Sequence, residues 1–297
     1  MLKNLTLAAG AAFLTACGGS AGFDSPGPAA AVVGNAVSLD AVKPNAQSIV
    51  VLIMENRDYG RVIGNRDAPY IGNVLVPQAA VMTDSHVVGH PSQPNYLALF
   101  SGSTQGIRND SCPHSFSAEN LGDELLTAGI TFAGYTETMP SDGFTGCLSH
   151  LYARKHNPWV DFTNVPSSAN LVYDGFPASP PTEMFLVPNL CHDMHDCTTK
   201  AGDRWLRNHL SPILQYNAAH DGLLVITWDE AAPDADGSDH IATLLIGPMI
   251  RPGEYSQHIS HYNVLRTMED IFTVPCIANA CGARPLAKMW RDGSSTI

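Results

Sequence analysis

The segment around Ser92 combines a hydroxyl nucleophile with the start of a helix. Residues 90–102 read His-Pro-Ser-Gln-Pro-Asn-Tyr-Leu-Ala-Leu-Phe-Ser-Gly, which predicts a turn followed by a short helix that ends at Gly102. We expect Ser92 at the N-cap, where unpaired N–H groups and the helix dipole favour negative charge. A phosphoryl group on Ser92 would be held by the same amides. The alternative is that Ser92 only caps the helix, as most serines at helix starts do.

Two pairs of oxygen-bearing side chains follow apolar runs elsewhere in the sequence. Glu55 and Asn56 follow one run, and Asp229 and Glu230 follow another. Ligands bind beyond the carboxyl ends of the strands in open α/β sheets, so two strands would deliver these groups to one edge. Three carboxylates and an amide are hard oxygen ligands, which suit Mg²⁺, Mn²⁺ or Ca²⁺ better than Zn²⁺. Either pair alone would more often merely mark the surface end of a strand.

The elements that must position these side chains alternate between strands and helices. Continuous apolar runs predict buried strands, and apolar residues at a helical period predict helices between them. The predicted strands are residues 48–54, 131–135, 222–228 and 241–246, and the predicted helices are residues 119–128, 202–215 and 262–272. We therefore predict an α/β fold with a mainly parallel central sheet flanked by helices. Residues 136–200 are dense in Pro, Cys, His and Asn, and we expect long active-site loops there.

The charge balance limits the possible partners. The 297 residues include 16 Lys and Arg against 28 Asp and Glu, a formal net charge of -12. Nucleic-acid binding needs a basic surface, so no nucleic-acid partner is expected. A phosphorylated small substrate would have to be attracted by a local positive group, such as a metal ion. No run of about 18 apolar residues occurs downstream of the N-terminus, so only that end is expected to meet a membrane.

The N-terminus predicts export and lipid anchoring. Lys3 and a short apolar stretch precede Leu-Thr-Ala-Cys, which resembles the bacterial lipobox that ends at the lipidated cysteine, here Cys17. We predict a signal peptide over residues 1–16, a lipidated flexible tether over 17–45 and a single domain over 46–297. The protein would then be an exported lipoprotein of the bacterial cell envelope, on its periplasmic or cell-surface face. The alternative is a plain signal peptide with an incidental cysteine.

Apart from Cys17, the chain has an even number of cysteines, which suggests disulfides in an exported protein. Nearness in sequence favours two pairs and leaves a third, although sequence alone does not choose the connectivity. A zinc site is weakly supported, since there is no CxxC pair. The favoured pairs are Cys112–Cys147, Cys191–Cys197 and Cys276–Cys281.

Five short motifs, taken in order, resemble one known family. They are Met54-Glu55-Asn56-Arg57, His90-Pro91-Ser92-Gln93-Pro94-Asn95-Tyr96, Arg154-Lys155-His156-Asn157-Pro158-Trp159, Asp193-Met194-His195-Asp196 and Thr227-Trp228-Asp229-Glu230. The chain is similar over about residues 47–275 to the bacterial and fungal phosphoesterase family of acid phosphatases and phospholipases C. This family is a branch of the alkaline phosphatase superfamily, so the resemblance implies an alkaline-phosphatase-like fold.

The resemblance also implies roles for individual residues. It makes Ser92 the nucleophile, in contact with one divalent metal ion. It also implies that His156 and His195 contact the phosphate or donate a proton. Some roles are less certain, because several histidines could fill a third position. The implied metal ligands are Glu55, Asn56, Ser92, Asp229 and Glu230, and the candidate substrate-binding histidines are His86, His90 and His240. Asp239, His240 and His261 also hint at a second metal site, although a structural role is favoured for these histidines.

The chemistry of these groups agrees with phosphoryl transfer, which needs positioning and neutralisation of charge. We expect hydrolysis of phosphate monoesters through a phosphoserine at Ser92, as in acid phosphatases. The alternative is a phosphodiesterase or phospholipase C with the same site. Larger phospholipases of this family carry a C-terminal lipid-recognition domain, and the sequence ends at Ile297 without one, which favours monoesters. A non-catalytic envelope-binding lipoprotein is the remaining alternative.

Overall fold

The computed structural model of the protein describes residues 45–232 and 239–291. The predicted signal peptide, tether and lipidation site at Cys17 lie outside the described residues. The division of the chain into these segments and a domain over 46–297 therefore stays a prediction. In the part of the chain that is described, no helix is both long and apolar enough to cross a membrane.

A nine-stranded sheet forms the centre of the fold, and a short hairpin lies apart from it. The hairpin consists of β4 and β5. In chain order the strands are β1 Ser48–Met54, β2 Ala80–His86, β3 Phe132–Glu137, β4 Leu148–Ser149, β5 Tyr152–Ala153, β6 Asn170–Tyr173, β7 Glu183–Val187, β8 Gly222–Trp228, β9 His240–Ile246, β10 Gly253–Tyr255 and β11 Ile259–Ser260. The spatial order is β10-β2-β9-β8-β1-β7-β3-β6, with β11 also paired to β2.

The sheet is mainly parallel, as predicted. β1 pairs in parallel with both β7 and β8, and β3 pairs in parallel with β6 and β7. β9 is antiparallel to its neighbours β2 and β8. Because β9 runs the other way, its first residues lie at the edge where the parallel strands end. The start of β9 at His240 therefore lies at the same edge as the ends of β1 and β8.

In the described residues, four α-helices cover the two faces of the sheet. They are α1 Ser92–Ser101, α2 Leu121–Thr127, α3 Thr199–Ala219 and α4 His261–Phe272. Alternate residues of β1 point to opposite faces, which is the period of a strand. Ile49, Val51 and Ile53 join one core with residues of α1, α2 and α4, whereas Val50, Leu52 and Met54 join a second core with residues of α3. The unbroken apolar run of β1 follows from this cover on both faces.

Five strands of the sheet in the described residues were missing from the prediction, among them the short strands β10 and β11. β2 was not predicted, and β6 and β7 lie inside residues 136–200, which were expected to be loops. β7 is the neighbour of β1, so the correction affects the centre of the sheet. Its five residues, Glu-Met-Phe-Leu-Val, are all buried, but the run is short and starts with a charged residue. Such a run has too few residues to show a strand period.

All three predicted disulfides are present: Cys112–Cys147, Cys191–Cys197 and Cys276–Cys281. Two of them close short loops, as the nearness of their cysteines indicated. The Cys191–Cys197 loop follows β7 and carries Asp193 and His195. Disulfides of this number are typical of exported proteins.

Candidate active site

The two pairs of oxygen-bearing side chains meet at the carboxyl edge of the sheet. β1 and β8 lie side by side with Met54 opposite Trp228, so the residues that follow each strand are also neighbours. The N–H of Asp229 donates to the carbonyl of Met54 at 2.9 Å, and the N–H of Asn56 donates to Asp229 Oδ1 at 3.1 Å. Asn56 adopts a φ of 52°, a left-handed conformation that asparagine tolerates better than most residues.

Ser92 is brought to the same edge by the start of α1. It is the first helical residue and Pro91 is the N-cap residue, one position from the expected arrangement. Its hydroxyl lies within hydrogen-bond distance of Glu230 Oε1 at 3.0 Å and Glu55 Oε2 at 3.2 Å. Ser92 is 1% exposed, and its hydroxyl contacts these two buried carboxylates. A serine that only capped the helix would instead face the N–H groups of its own first turn.

The donor atoms at this edge fit a divalent cation. Glu55, Asp229 and Glu230 are all buried, which is costly for charged groups without compensation. Burial, together with the charges of Glu55 and Glu230, raises the pKa of Asp229 well above its usual value. Within the described ranges, Asn56 Oδ1 and Asp229 Oδ2 are buried and accept no hydrogen bond. A hard cation would neutralise these carboxylates and use the free oxygens as ligands.

His156 stabilises the charged form of Glu55. Its Nε2 lies 2.9 Å from Glu55 Oε1, and its Nδ1 lies 3.4 Å from Asp193 Oδ2. Burial alone would lower the pKa of His156, but these two carboxylates outweigh it and raise the pKa to about 9. The imidazolium in turn opposes the effect of burial on Glu55 and lowers its pKa. Tyr96 adds a hydrogen bond from its hydroxyl to Glu55 Oε1 at 2.7 Å.

His195 lies near His156, with ring centroids 5.6 Å apart, and beside the partly buried Lys155. Its Nδ1 lies 2.7 Å from Asp196 Oδ1, and its Nε2 lies 3.3 Å from Lys155 Nζ. Lys155 also donates to Asp110 Oδ2 at 2.7 Å. Burial would lower the pKa of Lys155, but the hydrogen bond to Asp110 and the charge of Glu55 raise it above its usual value. Lys155 therefore carries a positive charge close to Ser92.

Ser92 and Glu230 line a cavity of about 630 Å³ that opens to solvent. Asn56, Lys155 and His195 line the same cavity, whereas His156 lies behind Glu55 and does not line it. A hydroxyl, an ammonium and an imidazole thus face one space in an acidic protein. The arrangement can bind an anionic group and bring it to Ser92.

Comparison with known proteins agrees with this chemistry, since the sequence matches the phosphoesterase family over residues 65–275. The chain belongs to the phosphoesterase family. This phosphoesterase is 42% identical over 255 residues to the phosphatidylinositol-3-phosphatase of Mycobacterium tuberculosis, and the alignment covers 84% of each protein. It is 29% identical over 251 residues to a probable acid phosphatase of Kluyveromyces lactis, covering 76% of this chain and 58% of the yeast protein. The chain thus spans little more than half the length of the yeast relative.

A solved structure gives the same fold. A protein of the alkaline phosphatase superfamily from Vibrio parahaemolyticus matches with a TM-score of 0.57 at 12% identity, covering 85% of this chain and 75% of that one. At this identity the likeness shows the fold alone. The predictions of the family, the alkaline-phosphatase-like fold and phosphoric ester hydrolysis are confirmed, and relatives named phosphatases imply a small phosphorylated substrate.

The three remaining candidate histidines of the phosphoesterase, His86, His90 and His240, lie near the site but make different contacts. His90 Nδ1 bonds to Glu230 Oε2, and its Nε2 lies 2.8 Å from Asp239 Oδ1. His240 stacks on His86 with ring centroids 5.4 Å apart. Neither of these two rings lines the cavity with Ser92.

The hinted second metal site at Asp239, His240 and His261 does not form. Among the described residues, none of these three belongs to a group with metal-ligand spacing. His261 is buried, its Nε2 donates to the carbonyl of Asp229 at 2.7 Å, and burial lowers its pKa to about 4. His261 is therefore a neutral residue that supports the end of β8, which agrees with the favoured structural role.

Four residues at the site were not predicted: Tyr96, Asp110, Lys155 and Asp193. Tyr96, Lys155 and Asp193 lie within the motifs that carried the family resemblance, so the sequence around each of them could have identified it as a site residue. Asp110 has no such signal. It lies in an irregular segment after α1, and only the folded chain brings it to Lys155.

Proposed function

We propose that the chain is a metal-dependent phosphomonoesterase that works through a phosphoserine at Ser92. The observation that carries this proposal is the position of the Ser92 hydroxyl, between Glu55 and Glu230 and facing a cavity that also contains Lys155. Because the Ser92 hydroxyl lies between two carboxylates, a carboxylate can accept its proton. The first turn of α1 adds N–H groups that favour an anion at Ser92.

Glu55, Asn56, Ser92, Asp229 and Glu230 would hold one divalent ion, and three carboxylates with an amide favour Mg²⁺, Mn²⁺ or Ca²⁺ over Zn²⁺. When bound, the ion would lower the pKa of the Ser92 hydroxyl and neutralise charge on the phosphate. His156 would hold Glu55 in position and in its charged form, because its imidazolium lies 2.9 Å from that carboxylate. Its burial behind Glu55 supports this role over direct contact with substrate.

The chain's own groups account for both halves of the reaction. Ser92 Oγ loses its proton to an adjacent carboxylate and bonds to phosphorus, while the bond from phosphorus to the ester oxygen breaks. His195, which lines the cavity, donates a proton to that leaving oxygen. A water then gives a proton to His195 and its oxygen bonds to phosphorus. The phosphoserine bond breaks, Ser92 regains its proton and phosphate is released, with Lys155 balancing the charge of the phosphoryl group.

The proposed substrate is a phosphate monoester, and a phosphoinositide headgroup is one candidate. A relative that aligns over 84% of its length is named a phosphatidylinositol-3-phosphatase, and the more distant fungal relatives are named acid phosphatases. The open cavity of about 630 Å³ has room for a headgroup of that size. Comparing p-nitrophenyl phosphate with bis-p-nitrophenyl phosphate, each with and without a chelator, separates monoesterase from diesterase and tests the need for metal.

The covalent step is tested by acid quench with labelled substrate. We expect label on Ser92 in the wild type and none in Ser92→Ala, whose turnover should fall by at least about 1,000-fold. Substrate affinity should change much less, because Lys155 and the metal ligands remain. Ser101→Ala is the matched control, since Ser101 is a buried serine at the other end of α1, and it should keep the label. Label on a histidine, or a burst of product with no labelled protein, would overturn the serine mechanism.

We also propose that the protein is anchored to the bacterial envelope through lipid on Cys17. The support is the lipobox-like sequence before Cys17 and the three disulfides, which are typical of exported proteins. Stable anchoring needs more than one acyl chain. Cys17→Ser should move the protein from the membrane fraction to the soluble fraction or block its maturation. Unchanged membrane fractionation of this variant would disprove the anchor.

A further inference from the structure

A second group of metal-ligating side chains lies at the edge of the sheet on β2. Asp84 Oδ1 is 2.7 Å from His86 Nε2, and Asp84 Oδ2 is 3.2 Å from His258 Nδ1. The two imidazole rings lie 4.8 Å apart between centroids. One potential ligand atom from each of the three residues lies within 4.8 Å of the others. None of these residues belongs to the set around Ser92.

The backbone brings these three side chains together. Asp84 and His86 are two residues apart on β2, the spacing that places side chains on one face of a strand. β11 pairs in parallel with β2, with Ile259 opposite Ser85 and Ser260 opposite His86. His258 comes directly before β11, so this register carries it to Asp84. The group therefore joins two segments that are far apart in sequence.

The donor set differs from that of the site at Ser92. Two imidazole nitrogens and one carboxylate are a usual three-residue set for zinc, with a further position left for water. Ca²⁺ and Mg²⁺ prefer sites made of oxygen atoms, which two histidines do not provide. Bonds of about 2.0–2.1 Å in a tetrahedral site put ligand atoms about 3.3 Å apart, close to the spacing that Asp84 already has with both rings.

The group is accessible to an ion from solvent. The side chain of His258 is 73% exposed and that of Asp84 is 42% exposed, so both can adjust to the geometry that coordination needs. His86 is less exposed, at 27%, and stacks against His240. This packing gives the site one fixed ligand and two adaptable ones.

We propose that Asp84, His86 and His258 bind one zinc-type divalent ion at a second site, separate from the reaction centre. The ion would join β2 to the segment that enters α4, because His258 precedes Ser260, the N-cap residue of α4. The first residue of α4, His261, donates to the carbonyl of Asp229. The site therefore stabilises the folded chain where α4 supports the end of β8. An ion that binds only the folded state raises the melting temperature.

The test is titration of Zn²⁺ into the disulfide-bonded mature protein, followed by calorimetry, with excess Mg²⁺ present to occupy the oxygen-rich site. We expect one Zn²⁺ to bind the wild type and raise its melting temperature. Loss of a residue that only supports a metal ligand typically lowers metal affinity by roughly 10- to 100-fold. His258→Ala and Asp84→Asn should each lower zinc affinity by more than this. Both variants should hydrolyse p-nitrophenyl phosphate like the wild type, which also shows that they fold.

The controls separate this site from adventitious binding. His150→Ala removes another exposed histidine and should leave zinc affinity unchanged. Glu55→Ala should also keep this Zn²⁺ equivalent, because it alters only the site at Ser92. Equal zinc affinity in the wild type, His258→Ala and Asp84→Asn would overturn the proposal. Loss of the zinc equivalent in Glu55→Ala but not in His258→Ala would overturn it as well, since zinc would then bind at Ser92.

Discussion

Asp193 connects two histidines of the candidate active site, His156 and His195, to the end of β1. Its Oδ1 accepts the N–H of His195 at 2.7 Å, and its Oδ2 lies 3.4 Å from His156 Nδ1. Its carbonyl accepts the N–H of Glu55 at 2.8 Å. It is fully buried, so no water competes for these contacts. Asp193 is a positioning residue, because it holds His195, which lines the cavity, and His156, which lies behind Glu55, without lining the cavity itself.

Replacing Asp193 tests this role at the scale of one residue. Asp193→Asn keeps the shape but removes the charge that holds His156, and we expect a fall in kcat of about 10- to 100-fold with a smaller change in KM. Asp196→Asn is the matched control, because Asp196 contacts His195 from an exposed position, and it should cost less. Steady-state kinetics on p-nitrophenyl phosphate separate the two. Equal falls in kcat in both variants would show that Asp193 positions the site no more than Asp196 does.

At the scale of elements, the end of α1 packs against the loop of the Cys276–Cys281 disulfide. Gly102 ends α1 with a φ of 64°, and its carbonyl accepts the N–H of Asn279 at 3.0 Å. A Cβ on Gly102 would lie 2.2 Å from the carbonyl oxygen of Ile277. The helix that carries Ser92 therefore has its far end fixed by a close backbone contact, which only glycine permits.

The matched glycines Gly102 and Gly106 test this contact. Both have positive φ, at 64° and 76°, but a Cβ on Gly106 would meet nothing within 4 Å. Gly106→Ala should cost about 1–2 kcal/mol of unfolding free energy, from the left-handed backbone alone. Gly102→Ala should cost about 1–3 kcal/mol more, because backbone must move. Urea unfolding with disulfides intact measures both. Similar losses of unfolding free energy in the two variants would mean that the Cys276–Cys281 loop moves away from α1 without destabilising the fold.

At the scale of the whole molecule, buried acids couple stability to pH. Glu269 on α4 is fully buried, and its Oε1 accepts the N–H of Ile277 at 2.9 Å. Burial raises its pKa from 4.5 to about 7, although that hydrogen bond opposes the rise. A raised acid pKa means that the folded state holds a proton that the unfolded state has released. Its contribution to stability is therefore complete below about pH 4.5 and is lost as pH rises to about 7.

Glu269→Gln should remove this pH dependence. Relative to the variant, the wild type should lose about 2–3 kcal/mol of unfolding free energy between pH 4.5 and 7, and no more above that range. Asp270→Asn is the control, since Asp270 is a partly exposed neighbour paired with Arg266, and it should keep the wild-type slope. Urea unfolding across this pH range gives the comparison. Parallel curves for the wild type and Glu269→Gln would refute the assignment.

Much of the fold and of the candidate active site could be predicted from sequence, for local reasons. The apolar runs of β1 and β8 are unbroken because helices cover both faces of the sheet. The acids that follow them must lie at the carboxyl edge once those strands are parallel. Two of the disulfides followed from nearness, since a short loop keeps its cysteines together, and Cys112–Cys147 was the pair that remained. Ser92 was predicted as the nucleophile because a turn, a hydroxyl and a helix stand next to each other in the chain, and this stays a prediction.

The tertiary structure alone decided which distant groups meet. β7 lies between β1 and β3, and only this order brings the Asp193 loop against Glu55. Nothing near Asp110 in sequence indicates that it contacts Lys155, and the contact of His258 with Asp84 depends on how β11 aligns with β2. These contacts join residues that are far apart along the chain, and their distances are set by strand order and register. Local periodicity and spacing carry no information about either.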